Sequence, residues 1–371
     1  ASYLVMVQST SKVGSATHPV SFFGLNADGN PNTPAVVDSP VQASIVHPPL
    51  TILEGPGRVQ ADWDARLREY EAEVTLGRGQ DQTDGPGGAH TQRVDRPAAV
   101  PALGEQRTFE VFQGMGDFTE VTATARHIGQ RAVFFVDLNA LEGGYTLADL
   151  QYFSDMFDQV IHPMVASSFG AESDLDQNSR IVVLLTPAVN ALTPRGAAGF
   201  VGGFFFGVDL LPDKQGSNAA EIFYSLVPDP GGIFSDPRPR DRLLEVTPAI
   251  LAHEYQHMVH FNERVLVRGA EANEATWLSE GLAQFSEELT AREFGNAGDT
   301  DTAQLFRDGA VDRSRLYLAA PDSVSLLISS GQGTLRERGA GFLYVMYLAD
   351  KFGPDLVGRL TRTKNTGVRN V

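Results

Sequence analysis

The sequence predicts an α+β protein in which a sheet is laid down first and helices follow. Three observations carry this prediction. Strand-length runs with period two or continuous apolar character crowd the chain as far as Val227, helical spacing dominates from Thr247 onward, and a Gly-, Asp-, Gln- and Pro-rich stretch at 76–97 sets both apart from the first 75 residues. With 371 residues there is room for two packed units. The expected organisation is a β-rich N-terminal region with one helix over 1–75, a linker or loop over 76–100, a sheet-bearing half over 101–246 and a helical half over 247–371.

In chain order, Tyr3 to Ser9 and Val20 to Leu25 read as strands, and Asn26-Ala27-Asp28-Gly29-Asn30-Pro31 as a turn. Trp63, Leu67, Tyr70 and Val74 recur at helical spacing among charges, which makes Asp62 to Val74 an amphipathic helix. The stretch from Leu76 to Pro97 has little to bury, so it reads as a linker or surface loop open to proteolytic nicking. Strands are expected at Arg107 to Phe112, Glu120 to His127 and Arg131 to Leu138; Val121, Ala123 and Ala125 alternate with polar residues as a half-buried strand requires. Thr146 to Phe169 has helical periodicity and a capping start at Thr146. Arg180 to Thr186 is apolar on both faces, so it is a central strand, and Gly199 to Asp209 and Glu221 to Val227 complete the sheet. Helices are then expected at Thr247 to Asn262, with Pro248 in the first turn, at Asn273 to Leu289, Asp301 to Phe306, Ser323 to Ser329 and Ala340 to Phe352, and from Pro354.

Composition narrows the function. A net charge of −17 and a pI near 4.8 argue against nucleic acid or an anionic membrane as partner, because both demand a basic face. No apolar run approaches the length of a membrane span. The absence of cysteine removes disulfides, thiolate metal sites and cysteine nucleophiles, so any metal must be held by His, Asp and Glu. That absence, together with an opening at Ala1-Ser2-Tyr3 rather than Met, leads to the expectation of a secreted or otherwise extracytoplasmic protein of bacterial type.

The chemistry gathers at His253-Glu254-Tyr255-Gln256-His257. Residues four apart share one helix face, so the two imidazoles can meet one ion from the same side, and Glu254 lies beside them without being a ligand. A catalytic zinc takes a third protein ligand. Glu280, in Trp277-Leu278-Ser279-Glu280-Gly281-Leu282, is the best placed: 22 residues after His257 leave enough chain for a second helix to return. Glu274, Glu271 and Glu263 are the alternatives.

His253 to Met258 with Phe261-Asn262, together with Trp277 to Leu282, resembles the gluzincin clan of metallopeptidases and, within it, the hyicolysin family of secreted bacterial neutral metalloproteases. The similarity reaches upstream through Glu172-Ser173-Asp174-Leu175-Asp176 and Val183-Leu184-Leu185-Thr186-Pro187, covering roughly Arg107 to Gly353. It implies a zincin-like catalytic domain, His253, His257 and Glu280 as zinc ligands, and Glu254 as the catalytic carboxylate acting on protein or peptide substrates; it says little about residues 1–100, where the residues themselves suggest a β-rich accessory region. Where related aminopeptidases place an oxyanion-binding Tyr, three residues before a Gly that opens a later helix, this chain has Arg336 before Gly339, leaving Arg336, Tyr344, Tyr347 and His260 as candidate donors. Gln284 or Glu287 would orient a ligand imidazole.

Asp174, Asp176 and Asn178 alternate as calcium ligands do, without the Gly and Glu of an EF-hand; a polar turn before the central strand is the other reading. The sequence thus leads to a secreted zinc endopeptidase with Glu254 as general base. The alternative is a zincin scaffold that has lost turnover and serves as a structural or interaction subunit.

Overall fold

A computed structural model describes residues 58–76, 99–327 and 333–371. The chain divides into two compact units, and all of these residues lie in the second, Gly55–Val371. The strands expected before residue 57 and almost all of the Gly-rich stretch lie outside the described residues.

A mixed sheet organises the unit, in the order β1-β2-β3-β4-β6-β5. β1 (Gln106–Gly114), β2 (Asp117–Ile128) and β3 (Ala132–Asp137) form an antiparallel meander. β4 (Ile181–Leu185) and β6 (Ile222–Ser225) continue parallel to β3, and β5 (Gly203–Phe205) closes the edge antiparallel to β6. β2 buries Val121, Ala123 and Ala125 on one face, as its alternation predicts, whereas β4 is buried at every position because it lies between two parallel neighbours. β5 is shorter than its apolar run, since the chain turns into a 3₁₀ segment at Gly207–Leu210.

α1 (Arg58–Leu76) packs Trp63 against Phe112 and Phe204. The helix assigned by sequence to the N-terminal region therefore belongs to the sheet-bearing unit, because its aromatic side chains complete that core. α2 (Leu147–Met156) and α3 (His162–Phe169) form one rod, joined by a π-helical segment, Phe157–Ile161. Thr146 and Asp149 make a reciprocal capping box at its start. A short α4 (Pro187–Ala191), capped by Thr186, follows β4.

α5 (Arg240–Phe261) begins well before Thr247, so Pro248 lies inside the helix rather than in its first turn. The helix gives up one backbone hydrogen bond there and is held by its buried length. α6 (Thr276–Asn296), α7 (Thr300–Leu318), α8 (Leu335–Phe352) and α9 (Leu356–Thr361) form the helical half. α7 is far longer than expected, and no helix spans 324–327, where Val324 is extended. α8 starts earlier than Ala340, fixed by a capping box between Thr334 and Glu337. α6 and α8 approach closely at glycines: a Cβ on Gly281 would stand 2.8 Å from the Gly341 carbonyl oxygen. Among the described residues no helix is long and apolar enough to cross a membrane.

Candidate metal centre

α5 enters the core beneath the sheet, and from Leu251 to Phe261 every residue is buried. α6 returns beside it, and Glu280, 2% exposed, faces the two imidazoles. Nε2 of His253 is 3.3 Å from Glu280 Oε2, and Nε2 of His257 is 3.5 Å from Oε1. The ligand atoms of all three residues lie within 4.8 Å of one another, and among the described residues no other group of three or more His, Asp or Glu does so. Tetrahedral zinc with bonds near 2 Å separates its ligands by about 3.3 Å. Two nitrogens and a carboxylate with these spacings fit that ion.

The alternatives for the third ligand are engaged elsewhere. Glu263 pairs with Arg268, Glu274 with Arg264 and Asn370, and Glu271 is exposed.

The second nitrogen of each ring is held as well. Nδ1 of His253 lies 2.7 Å from Glu287 Oε1 and donates to that carboxylate, which fixes the ring with Nε2 turned toward Glu280. Glu287, two turns beyond Glu280, is therefore the orienting carboxylate, and Gln284 is not: its amide faces the backbone carbonyls of Glu280 and Arg338. Ser279 Oγ lies 3.4 Å from His257 Nδ1. Burial pulls the His253 ring down, but the Glu280 and Glu287 carboxylates outweigh it and hold the ring up at about 10. His257, with burial dominant, falls to about 4.

Glu254 is 5% exposed, and its Oε2 accepts a 2.8 Å hydrogen bond from the Phe205 N–H of edge strand β5. Burial pushes its carboxyl up to about 7, opposed by His253 and assisted by Asp64 and Glu280. Its position beside the ligands follows from helical phase, and its tie to β5 follows from packing.

Arg338, 1% exposed, donates from one guanidinium nitrogen to Glu280 Oε2 at 2.7 Å and from the other to Asp64 of α1. Although burial opposes ionisation of Glu280, the charge of Arg338 and the bonds to both imidazoles outweigh it and keep Glu280 well below the usual carboxylate range. The sequence offers Arg336 for another role, as a donor to the oxyanion, and assigns none to Arg338. Two positions along a helix rotate a side chain by about 200°, so with Arg338 on Glu280, Arg336 points to the other side of α8. The signal that could have found Arg338 is adjacent Gly339, where a Cβ would strike the Arg313 carbonyl and which marks the face of α8 turned inward. Tyr344 stacks edge-on against Trp277 and packs beside Tyr347, as part of the α6–α8 contact. His260 does border the centre: it lines one cavity with His257, Ser279, Glu280 and Arg68, and its buried Nε2 has no hydrogen-bond partner among the described residues.

The expected calcium loop is held by its own donors. Asp174 accepts from Ser179 N–H, Asp176 from the amide and backbone of Asn178, and Asn178 from Arg180 N–H, which makes a turn into β4. This turn accounts for the alternating oxygens without an ion.

No family model matches this chain. Over 133 residues it is 32% identical to the neutral metalloprotease ShpI of Staphylococcus hyicus, which covers 36% of this chain and 29% of that relative. The match thus spans under a third of the curated relative's length. Two solved structures of yeast LTA4 hydrolase are also similar. The native form covers 71% of this chain and 40% of its own at 11% identity and a TM-score of 0.37; the bestatin complex covers 66% and 34% at 12% and 0.35.

Proposed function

We propose that this chain carries the centre of a zinc-dependent endopeptidase, in which His253, His257 and Glu280 hold the ion and Glu254 is the general base. The observation that carries the reading is three buried ligand atoms, from His253, His257 and Glu280, gathered within 4.8 Å of one another with Glu287 behind His253. The likeness to a neutral metalloprotease supports a zinc metallopeptidase in general. The narrower assignments, a hyicolysin-like enzyme acting on proteins or peptides outside the cytoplasm, rest on the motif pattern and the cysteine-free composition.

Zinc in this donor set supplies Lewis acidity and brings the pKa of water near 7. With Oε2 of Glu254 fixed on Phe205 N–H, Oε1 is the atom left to take a proton and return it to the leaving amine. Edge strand β5 gives an extended peptide a backbone to lie along. Of the donors considered for the developing oxyanion, His260 is the one that borders the cavity with His257 and Glu280, and Arg336 and Tyr344 are not among the residues that line it. No calcium is required by this proposal.

Zinc content and casein hydrolysis of the wild-type chain and Glu254→Ala test it. The expected result is zinc in both and a loss of about 10²–10⁴-fold in the variant. A chain without zinc, or equal hydrolysis by both, overturns the proposal. The rival reading, a scaffold without turnover, is favoured by the position of Arg336 and would bind zinc yet leave casein intact.

A further inference from the structure

The cavity beside the metal centre is lined by a cation that the peptidase reading leaves without a task. Arg68 borders it together with His257, His260, Ser279 and Glu280. Trp63 and Leu67, on the same helix α1, are fully buried in the core, so Arg68 is carried by a rigid element. Nη1 of Arg68 lies 2.6 Å from Glu71 Oε2. Glu71, itself wholly buried, is held in turn by Gly207 N–H on Oε1 and by Asn273 Nδ2 on Oε2. This pairing engages one nitrogen and leaves Nε and Nη2 of Arg68 without a hydrogen bond among the described residues, on a side chain one-fifth exposed. The planar fork of an arginine can serve a second oxyanion with the nitrogens that remain.

The other charges of the lining are matched. Arg264 donates to Glu274, to the carbonyls of Thr363 and Asn365 and to Thr366 Oγ1. Glu274 also accepts from Gly367 N–H and Asn370 Nδ2. Glu280 meets Arg338 and both imidazoles, and coordination to zinc takes up its charge. Glu71 is not among the residues that line the cavity. With the ion in place, the lining is therefore positive at Arg68.

Resting on the zinc-peptidase reading above, we infer that this cavity is a substrate pocket selective for a carboxylate and that Arg68 is the residue that selects it. Hydrogen bonds from a guanidinium to a carboxylate are charge-assisted, and a neutral amide or a cation in the same place forgoes them. The carboxylate is that of an Asp or Glu side chain close to the scissile bond, or the free C-terminus of a short peptide. Arg68 lies before Arg107, outside the stretch that resembles known metallopeptidases, so the selectivity is supplied by this chain's own α1.

The test uses the full zinc-loaded chain and four peptides with an N-terminal hydroxamate, which anchors each to the ion; calorimetry reads binding without turnover. Three have amidated C-termini and carry Glu, Gln or Lys beside the hydroxamate, and the fourth carries Gln and a free C-terminal carboxylate. The Glu peptide or the free-terminus peptide is expected to bind about ten- to hundredfold more tightly than the amidated Gln peptide, and the Lys peptide more weakly. Which of the two gains affinity tells side chain from terminus. The gain should vanish in Arg68→Met and return in part in Arg68→Lys. If Arg68→Met does not fold with Glu71 stranded, Arg68→Met combined with Glu71→Gln decides. Equal binding of the Glu, free-terminus and amidated Gln peptides overturns the inference, and so does a loss that weakens all four alike in the Arg68 variants, as a purely structural ion pair would produce. A carboxylate preference in a zinc-loaded chain that leaves casein intact supports the pocket and overturns the peptidase reading. Casein cleavage without the preference overturns the pocket and leaves the peptidase reading. A chain that takes up no zinc keeps the charge of Glu280 in the cavity and overturns both.

Discussion

Oε1 of Glu287 lies 2.7 Å from Nδ1 of His253, so a carboxylate of α6 holds the ring of a proposed ligand on α5. Its removal frees the ring to turn and weakens its basicity. Glu287→Ala is expected to lose about 10–100-fold in zinc affinity, measured by competition with a chelator, while Glu287→Gln, which keeps an acceptor, loses less. Equal affinity in all three forms would show that the ring is held by packing alone.

Arg338 bridges Glu280 and Asp64 in a place with almost no water. Arg338→Met strands two buried carboxylates and should cost about 3–5 kcal/mol in denaturant unfolding. The sign of a second effect follows from the electrostatics. The guanidinium holds Glu280 well below its ordinary range, so without it the carboxyl keeps its proton to higher pH and zinc uptake begins at higher pH than in the wild type. A pH titration of zinc binding that superimposes on the wild type would contradict this.

Gly281 lets α6 and α8 touch. Alanine is the better helix former by about 1 kcal/mol, but its methyl would stand 2.8 Å from the Gly341 carbonyl and 2.9 Å from Val345 Cγ2. Backbone cannot step aside as a flexible side chain does, so the clash wins. Gly281→Ala should lower stability by about 1–3 kcal/mol and weaken zinc binding as well, since Glu280 is the preceding residue. A melting temperature at or above that of the wild type would refute the packing argument.

Tyr255, on the back of the motif helix, donates to Glu172 Oε2 at 2.6 Å, and His162 lies 2.8 Å from the other oxygen. Burial opposes ionisation of Glu172, yet these bonds hold it down at about 2 from 4.5. The stability it contributes is therefore complete above pH 4.5 and is lost as pH falls toward 2. Discounted for a side chain one-fifth exposed, this is about 2 kcal/mol. Asp209 and Glu221, pushed up to about 7 by burial, run the opposite way: stability tied to their protonated forms is lost as pH rises through 7. Urea unfolding of wild type and Glu172→Gln at about pH 5 and about pH 3 isolates Glu172, because only its own window flattens in the variant. Parallel pH dependences would remove its role.

The three proposed metal ligands could be read from the sequence because each belongs to a pattern written along one element. His253 and His257 are one helical turn apart, and Glu280 sits among apolar neighbours in a helix of its own. Arg338 was not legible, because which of two nearby arginines meets Glu280 depends on the phase of α8, and that is set by where its capping box at Thr334 starts the helix. Pro248 misled in the same manner: proline at the first turn and proline in a buried helix look alike until the residues before it are seen to pack.

Taken alone, the sequence determined the α+β order, the alternating and central strands, and the spacing of the two imidazoles and their neighbouring carboxylate, since helical and strand periods are local properties of the chain. Tertiary structure alone decided that Glu287 rather than Gln284 holds His253, that Phe205 N–H fixes Glu254, and that Asp64 of α1 reaches Arg338 across 274 residues. Those contacts join elements far apart in the chain, and no period along one element encodes which face of another will meet it. Packing supplies that information, through close approaches such as Gly281 against Gly341.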